Sequence, residues 1–235
     1  MTTPPALRTL ISKYQEKTQS HVRFRPPTWE RTLGAENSTL SVLTDARYSW
    51  KDASIPSDRN TDREHVKALA DSFELDDENS LLRAFLMVQA WGAGTTGSRT
   101  IRHTKSALAD RKNLLESLRS TADILRGSND PGALTEAYTR WRCAGVKQSF
   151  FTKWFTFAGA RKDRHWQPLI LDDRVLRSLN STLNVTTEEL AGSRSRARRY
   201  QSYVETIHKW AGETGVDAQR LEWILFAQNG KKLKQ

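Results

Sequence analysis

The sequence predicts an all-α fold: apolar residues recur mostly at three- and four-residue spacing, proline and glycine clusters are few, and strand signals are weak. With 235 residues, 37% of them hydrophobic, the chain can bury a core as one compact body or as two small helical lobes.

Helices are predicted over 6–19, 61–74, 78–91, 99–110, 112–126, 131–143, 149–158, 173–183, 194–212 and 217–229. Between the first two, residues 20 to 60 hold Pro26, Pro27 and Pro56 among many Ser, Thr and Asn residues, with Trp29 and Trp50. That composition predicts an irregular layer pinned by aromatics, so residues 1–60 form an N-terminal layer with one helix and 61–235 a helical body. Ser80 to Trp91 is apolar on nearly every side except Arg83 and Gln89, which suits a helix buried between others. It ends in GAGTTGSR, which reads as a helix stop with a tight turn and matches no Walker or dinucleotide fingerprint. The C-terminal KKLKQ reads as a frayed tail.

Several function classes are set aside at this level. No run of eighteen apolar residues exists, and MTTPPALRTL lacks the basic-then-apolar pattern of a secretory signal, so a soluble cytoplasmic protein is expected. Cys143 is the single cysteine and the five histidines are scattered, so no disulfide framework, structural metal or cofactor is expected. No sequence feature calls for more than a monomer.

The net charge of +10 favours an anionic partner, nucleic acid or an acidic membrane surface. The charge is concentrated: seven basic against three acidic residues over 97–127, seven against one over 140–167, and five against one over 192–210. Those segments can assemble into one basic face fit for a phosphate backbone, or remain solvated helix faces. Arg99, Arg102, Lys147, Arg194, Arg196, Arg198 and Arg199 are the candidate phosphate contacts.

The informative stretch is WRCAGVKQSFFTKWFTFAGARKDRHWQPLILDDRVLRSL, Trp141 to Leu179. It reads helix, short turn, helix, irregular loop, helix. The turn contains Gly145 and Lys147, and backbone N–H groups at such a helix start can hold a phosphate. Lys153 lies among Ser149, Phe150, Thr156 and Phe157 at helical spacing. Burial there lowers an ammonium pKa and yields a nucleophilic amine, whereas a snorkelling lysine would only pack its stem on Phe150. Asp172 precedes an apolar-periodic segment and suits a helix N-cap, a role compatible with electrostatic catalysis. Asp173, one residue further, is the second choice.

This arrangement resembles the 8-oxoguanine branch of the helix-hairpin-helix DNA glycosylases, in which a hairpin leads to Thr-Lys and an aspartate follows an aliphatic residue. Thr152-Lys153 and Leu171-Asp172 stand in those places, nineteen residues apart from lysine to aspartate. The likeness is closer to bacterial proteins of this fold with an FFTK…F.FAG…PLILD…V pattern, carried here by Phe150–Lys153, Phe157–Gly159, Pro168–Asp172 and Val175. The WGAG of Trp91–Gly94 is similar to their WG turn. The resemblance is strong over about 80 to 183 and weak before 60. One departure stands out: Ser149-Phe150-Phe151 replaces the family's Gly-hydrophobic-Gly turn before Thr-Lys.

The resemblance implies a helix-hairpin-helix glycosylase-like fold with two helical lobes flanking a cleft, the hairpin and catalytic region lying at 131–183. It implies a DNA glycosylase in which Lys153 attacks C1′ of an extruded nucleotide and Asp172 stabilises the developing sugar cation. The product is an abasic site, with strand cleavage a further step. Trp91, Trp154 and Phe157 are candidates to line the base pocket, although aromatics at helical spacing also build cores. Some relatives belong to anti-phage systems, so modified phage DNA and 8-oxoguanine are alternative substrates. A non-catalytic DNA binder predicts instead that Lys153 and Asp172 lie too far apart to meet, and an adaptor gives them no shared cleft.

Overall fold

The computed structural model describes residues 2–34, 38–95 and 97–233. The molecule is all-α: among the described residues two three-residue strands are the whole of its sheet. In chain order come α1 (Pro5–Lys13), β1 (Val22–Phe24), α2 (Pro26–Leu33), β2 (Arg59–Thr61), α3 (Arg63–Asp71), α4 (Glu78–Ala93), α5 (Ser98–Ala109) and α6 (Arg111–Gly127). They are followed by α7 (Gly132–Arg140), α8 (Gln148–Ala158), α9 (Asp173–Arg177), α10 (Thr187–Ala191), α11 (Arg196–Thr214) and α12 (Ala218–Gln228).

Helix α4 is the central post. Ten of its residues are buried, from Leu81 to Trp91, and it packs against α3, α5, α6 and α8. A helix apolar on all sides is stable only when enclosed in this way. It stops at Gly94, which takes φ +60, and α5 starts after Gly97. Thr96, in the glycine-rich turn, and Lys234 and Gln235, in the lysine-rich tail, lie outside the described residues.

The N-terminal layer is more regular than expected. Pro26 and Pro27 occupy the first positions of α2, where a missing N–H costs nothing, so they start a helix where the composition predicts irregular chain. The layer therefore holds two helices, with 3-10 turns at Ser38–Leu43 and Ala46–Tyr48. Of the two tryptophans expected to pin it, Trp29 is buried and Trp50 is only half-buried. Phe24 and Tyr48 complete its core edge to face, 6.1 Å apart. β1 pairs antiparallel with β2, Val22 opposite Thr61, and buried Asp58 sits between Arg25 at 2.6 Å and Arg23 at 3.3 Å.

Other ends also moved. α1 stops at Lys13 rather than 19, since residues 15–20 offer no apolar side chain to bury. α7 stops at Arg140 because Trp141 turns extended and donates its Nε1 to Val146 O at 3.1 Å. The unexpected α10 has a capping box, Thr186 with Glu189, that a periodicity search over longer windows passes by. The helix expected over 173–183 is α9 continued by a π-helical turn, Ser178–Thr182.

Candidate active site

Helices α7 and α8, joined by residues 141–147, form a hairpin in which Tyr138 packs edge-on against Phe151, ring centres 4.9 Å apart. Gly145 takes φ +83 in that connection, a conformation that disfavours any side chain, and its Cα faces His103 of α5. α8 then buries Phe151, Trp154, Phe155 and Ala158, which fixes the helix and sends Lys153 along its other side. Lys153 is 5% exposed; its Nζ donates to Ser149 O at 2.6 Å and lies 4.9 Å from the Phe150 ring centre. Space for its stem exists because residue 92 is glycine: a Cβ there would stand 2.8 Å from Lys153 Cδ.

Asp172 ends an extended segment that lacks a strand partner among the described residues, so its backbone is satisfied by side chains from three helices, α8, α11 and α12. Tyr200 and Tyr203 donate to Leu169 O and Ile170 O at 2.9 and 2.8 Å. Glu222 accepts from Ile170 N at 2.8 Å, and Thr152 Oγ1 accepts from Leu171 N at 3.2 Å. Gln148 closes the set by donating to Leu171 O. Pinned in this way, Asp172 caps α9, its Oδ1 accepting from Arg174 N and Val175 N at 3.0 and 3.1 Å.

The second carboxylate oxygen, Oδ2, lies 3.5 Å from Lys153 Nζ. Both residues are buried, Asp172 at 7% exposed. Burial pulls the Lys153 pKa below its ordinary value, and the charges of Asp172 and then Glu222 only partly oppose that pull. A lysine in this setting has a larger neutral fraction than one in water. Cys143, the other nucleophile type in the hairpin, is inert: burial pushes its thiol up to about 12.

Lys153 and Asp172 open onto a cavity of about 360 Å³ whose other walls include His21, Trp91, Gly92, Glu222, Trp223 and Phe226. Of the three aromatics expected at a base pocket, Trp91 is there. Trp154 is not: it is fully buried, stacks on Phe73 at 5.4 Å and donates to Thr121 Oγ1 at 3.2 Å. Phe157 stands behind Trp91 in an edge contact of 5.2 Å and stays in the core. The spacing of aromatics along α8 could not tell the cavity side from the core side.

Sequence reading missed Glu222, Trp223 and Phe226 on α12, Gly92, and Arg63 on α3. One signal was available: Glu222 interrupts the apolar run LEWILF. Its carboxylate takes two bonds from Arg63, each 3.1 Å, besides the one from Ile170 N, which explains a buried charge in that helix.

The basic candidates divide by position. Arg99, Gly145 and Lys147 line one cleft of about 370 Å³ beside the start of α8, together with buried Gln89, whose Nε2 has no acceptor among the described residues. Lys147 also borders a second cleft of about 730 Å³ with Arg196 and Arg199. Asp173, exposed and not among the residues that line the Lys153–Asp172 cavity, borders both. Arg102, Arg194 and Arg198 are exposed and line neither; Arg194 reaches Glu188 at 3.9 Å. Among the described residues no group of three or more His, Cys, Asp or Glu side chains could hold a metal ion, and no helix is long and apolar enough to cross a membrane.

A family model described as "Putative 8-oxoguanine DNA glycosylase OGG-like protein" matches residues 15–226, most of the chain. No curated protein and no solved structure matches.

Proposed function

We propose, from the premise that this chain belongs to the OGG-like DNA glycosylase family, that it excises a modified base from DNA with Lys153 as nucleophile and Asp172 as its electrostatic partner. One observation carries the reading: Lys153 Nζ and an Asp172 oxygen lie 3.5 Å apart, both buried, on the wall of a cavity. A scaffold kept only for binding gives no reason for a lysine to be desolvated beside a carboxylate there.

In this reading the target nucleotide leaves the helix at a cost of a few kcal/mol and its base enters the cavity. The neutral amine attacks C1′ while the glycosidic bond breaks and its electron pair departs with the base. Negative Asp172 stabilises the positive charge that develops on the sugar. The ammonium formed at C1′ loses a proton, the nitrogen lone pair then expels the ring oxygen, which takes up a proton as a hydroxyl, and a protonated imine forms. Hydrolysis of that imine leaves an abasic site; elimination of the 3′ phosphate cleaves the strand.

The test uses genomic DNA from phages with and without modified bases and an 8-oxoguanine duplex, with released bases identified by mass spectrometry and borohydride trapping alongside. Release from one of them by wild type, and from none by Lys153→Ala, supports the reading and names the base. Unimpaired DNA binding without release from any substrate overturns it.

Two further results are expected. Gly92→Ala pushes the Lys153 stem aside, so base release falls by about 10²-fold, the order of loss a misplaced reacting group brings. Its melting temperature changes little, because the atoms that must yield include a flexible side chain. Lys147→Ala weakens duplex binding about equally for all sequences and lowers the slope of log affinity against log salt by about 1, as loss of one phosphate contact does. Support for that contact comes from the uncapped start of α8 and from Lys147 bordering both basic clefts.

A further inference from the structure

Departure of a base anion is slow unless a proton reaches it, and the cavity's charged groups are mostly committed elsewhere. Asp172 caps α9 and faces Lys153. Both oxygens of Glu222 are taken by Arg63 and Ile170 N. Arg174 is permanently charged and has no proton to give. His21 is different: it borders the cavity, and an imidazole ring can carry a proton and pass it on.

The fold places this histidine, its side chain 61% exposed, beside a fixed carboxylate. Val22 pairs with Thr61 at the end of the small sheet, so the next residues outward, His21 and Asp62, become neighbours. His21 Nδ1 lies 3.5 Å from Asp62 Oδ2. Asp62 is itself fixed, since it caps α3 by accepting from His65 N at 2.8 Å, and its Oδ1 lies 3.2 Å from His65 Nδ1. The other ring nitrogen of His21, Nε2, has no partner among the described residues. With Asp62 on the Nδ1 side, Nε2 is left to meet a ligand.

We propose that His21, oriented by Asp62, is the general acid that protonates the departing base in this cavity. The inference rests on the glycosylase reading. As the C1′–N bond breaks, the electron pair passes to the base, and the proton on Nε2 moves to a nitrogen or oxygen of the base. Neutral imidazole remains and is reprotonated from solvent after the base leaves. The charged and titratable groups that face it are Asp62, with His65 sharing that carboxylate, and, across the cavity, Lys153, Asp172, Arg174 and Glu222.

The experiment measures single-turnover base release across pH 5 to 9 for wild type, His21→Ala and His21→Gln, on the substrate that wild type processes. A parallel arm traps each protein with borohydride on a duplex that already carries an abasic site, where no base is left to protonate. The expected result is a loss in release of about 100-fold or more, the scale of a general acid, with trapping on the abasic duplex unchanged. Wild-type release rises with pH as Lys153 loses its proton, and both variants keep that rise at a lower rate throughout. Variants that release the base at the wild-type rate and profile overturn this proposal alone. Release and trapping lost together also overturn it, since that marks collapse of the cavity. A wild-type protein that releases no base from any DNA overturns the glycosylase reading first, and this proposal with it.

Discussion

Lys153→Ala is expected to bind duplex DNA as wild type does, to release base at least about 10³-fold more slowly and to form no borohydride adduct, because the amine proposed as nucleophile is gone. Asp172→Asn is the sharper variant. Asparagine caps a helix about as well as aspartate, so the two N–H bonds at the start of α9 survive while the charge is removed. Release should then fall by about 10²- to 10³-fold, on the scale of a lost electrostatic contact in a transition state, with stability within about 1 kcal/mol of wild type. Asp172→Ala adds the lost cap, about 1 kcal/mol of stability. The pH dependence follows from the same geometry. Burial lowers the Lys153 pKa, so the reactive amine appears as pH rises through a value below the ordinary lysine range. Release that climbs only near the pH where exposed lysines deprotonate would show that the amine is not desolvated when it reacts.

The largest effect on stability is expected from Trp154→Ala. Removing a fully buried indole that stacks on Phe73 and bonds Thr121 leaves a void between α3, α6 and α8 and costs about 3–5 kcal/mol, readable as a shift in denaturant midpoint. Trp91→Ala separates the two aromatic roles. Trp91 lines the cavity, so its loss should depress base release more than it depresses stability. Were Trp154→Ala to keep wild-type stability while losing base release, Trp154 would belong to the site and not to the core.

Much of the fold was legible because helix formation is local. The three- and four-residue spacing located α3 to α8, α11 and α12 within a few residues, and the all-round apolar pattern of 80–91 marked α4 as the central helix. Failures came where short-range chemistry outweighs periodicity: the prolines that start α2, the capping box of α10, and strands only three residues long. The site was legible in part. Thr-Lys and an aspartate after PLIL stand out in a linear reading, and so do the basic segments.

By itself, then, the sequence determined the helical class, the hairpin before Lys153 and an aspartate suited to begin a helix, because each depends on residues a few positions apart. Only the tertiary structure decided that Lys153 and Asp172 meet, that Trp154 faces the core, that His21, Gly92 and Glu222 line the cavity, and that Arg63 pairs with Glu222. Glu222 lies fifty-two residues beyond its backbone partner Ile170, and Arg63 is 159 residues from Glu222. Contacts across such separations arise from how helices pack against one another, and no periodicity along the chain encodes which face meets which.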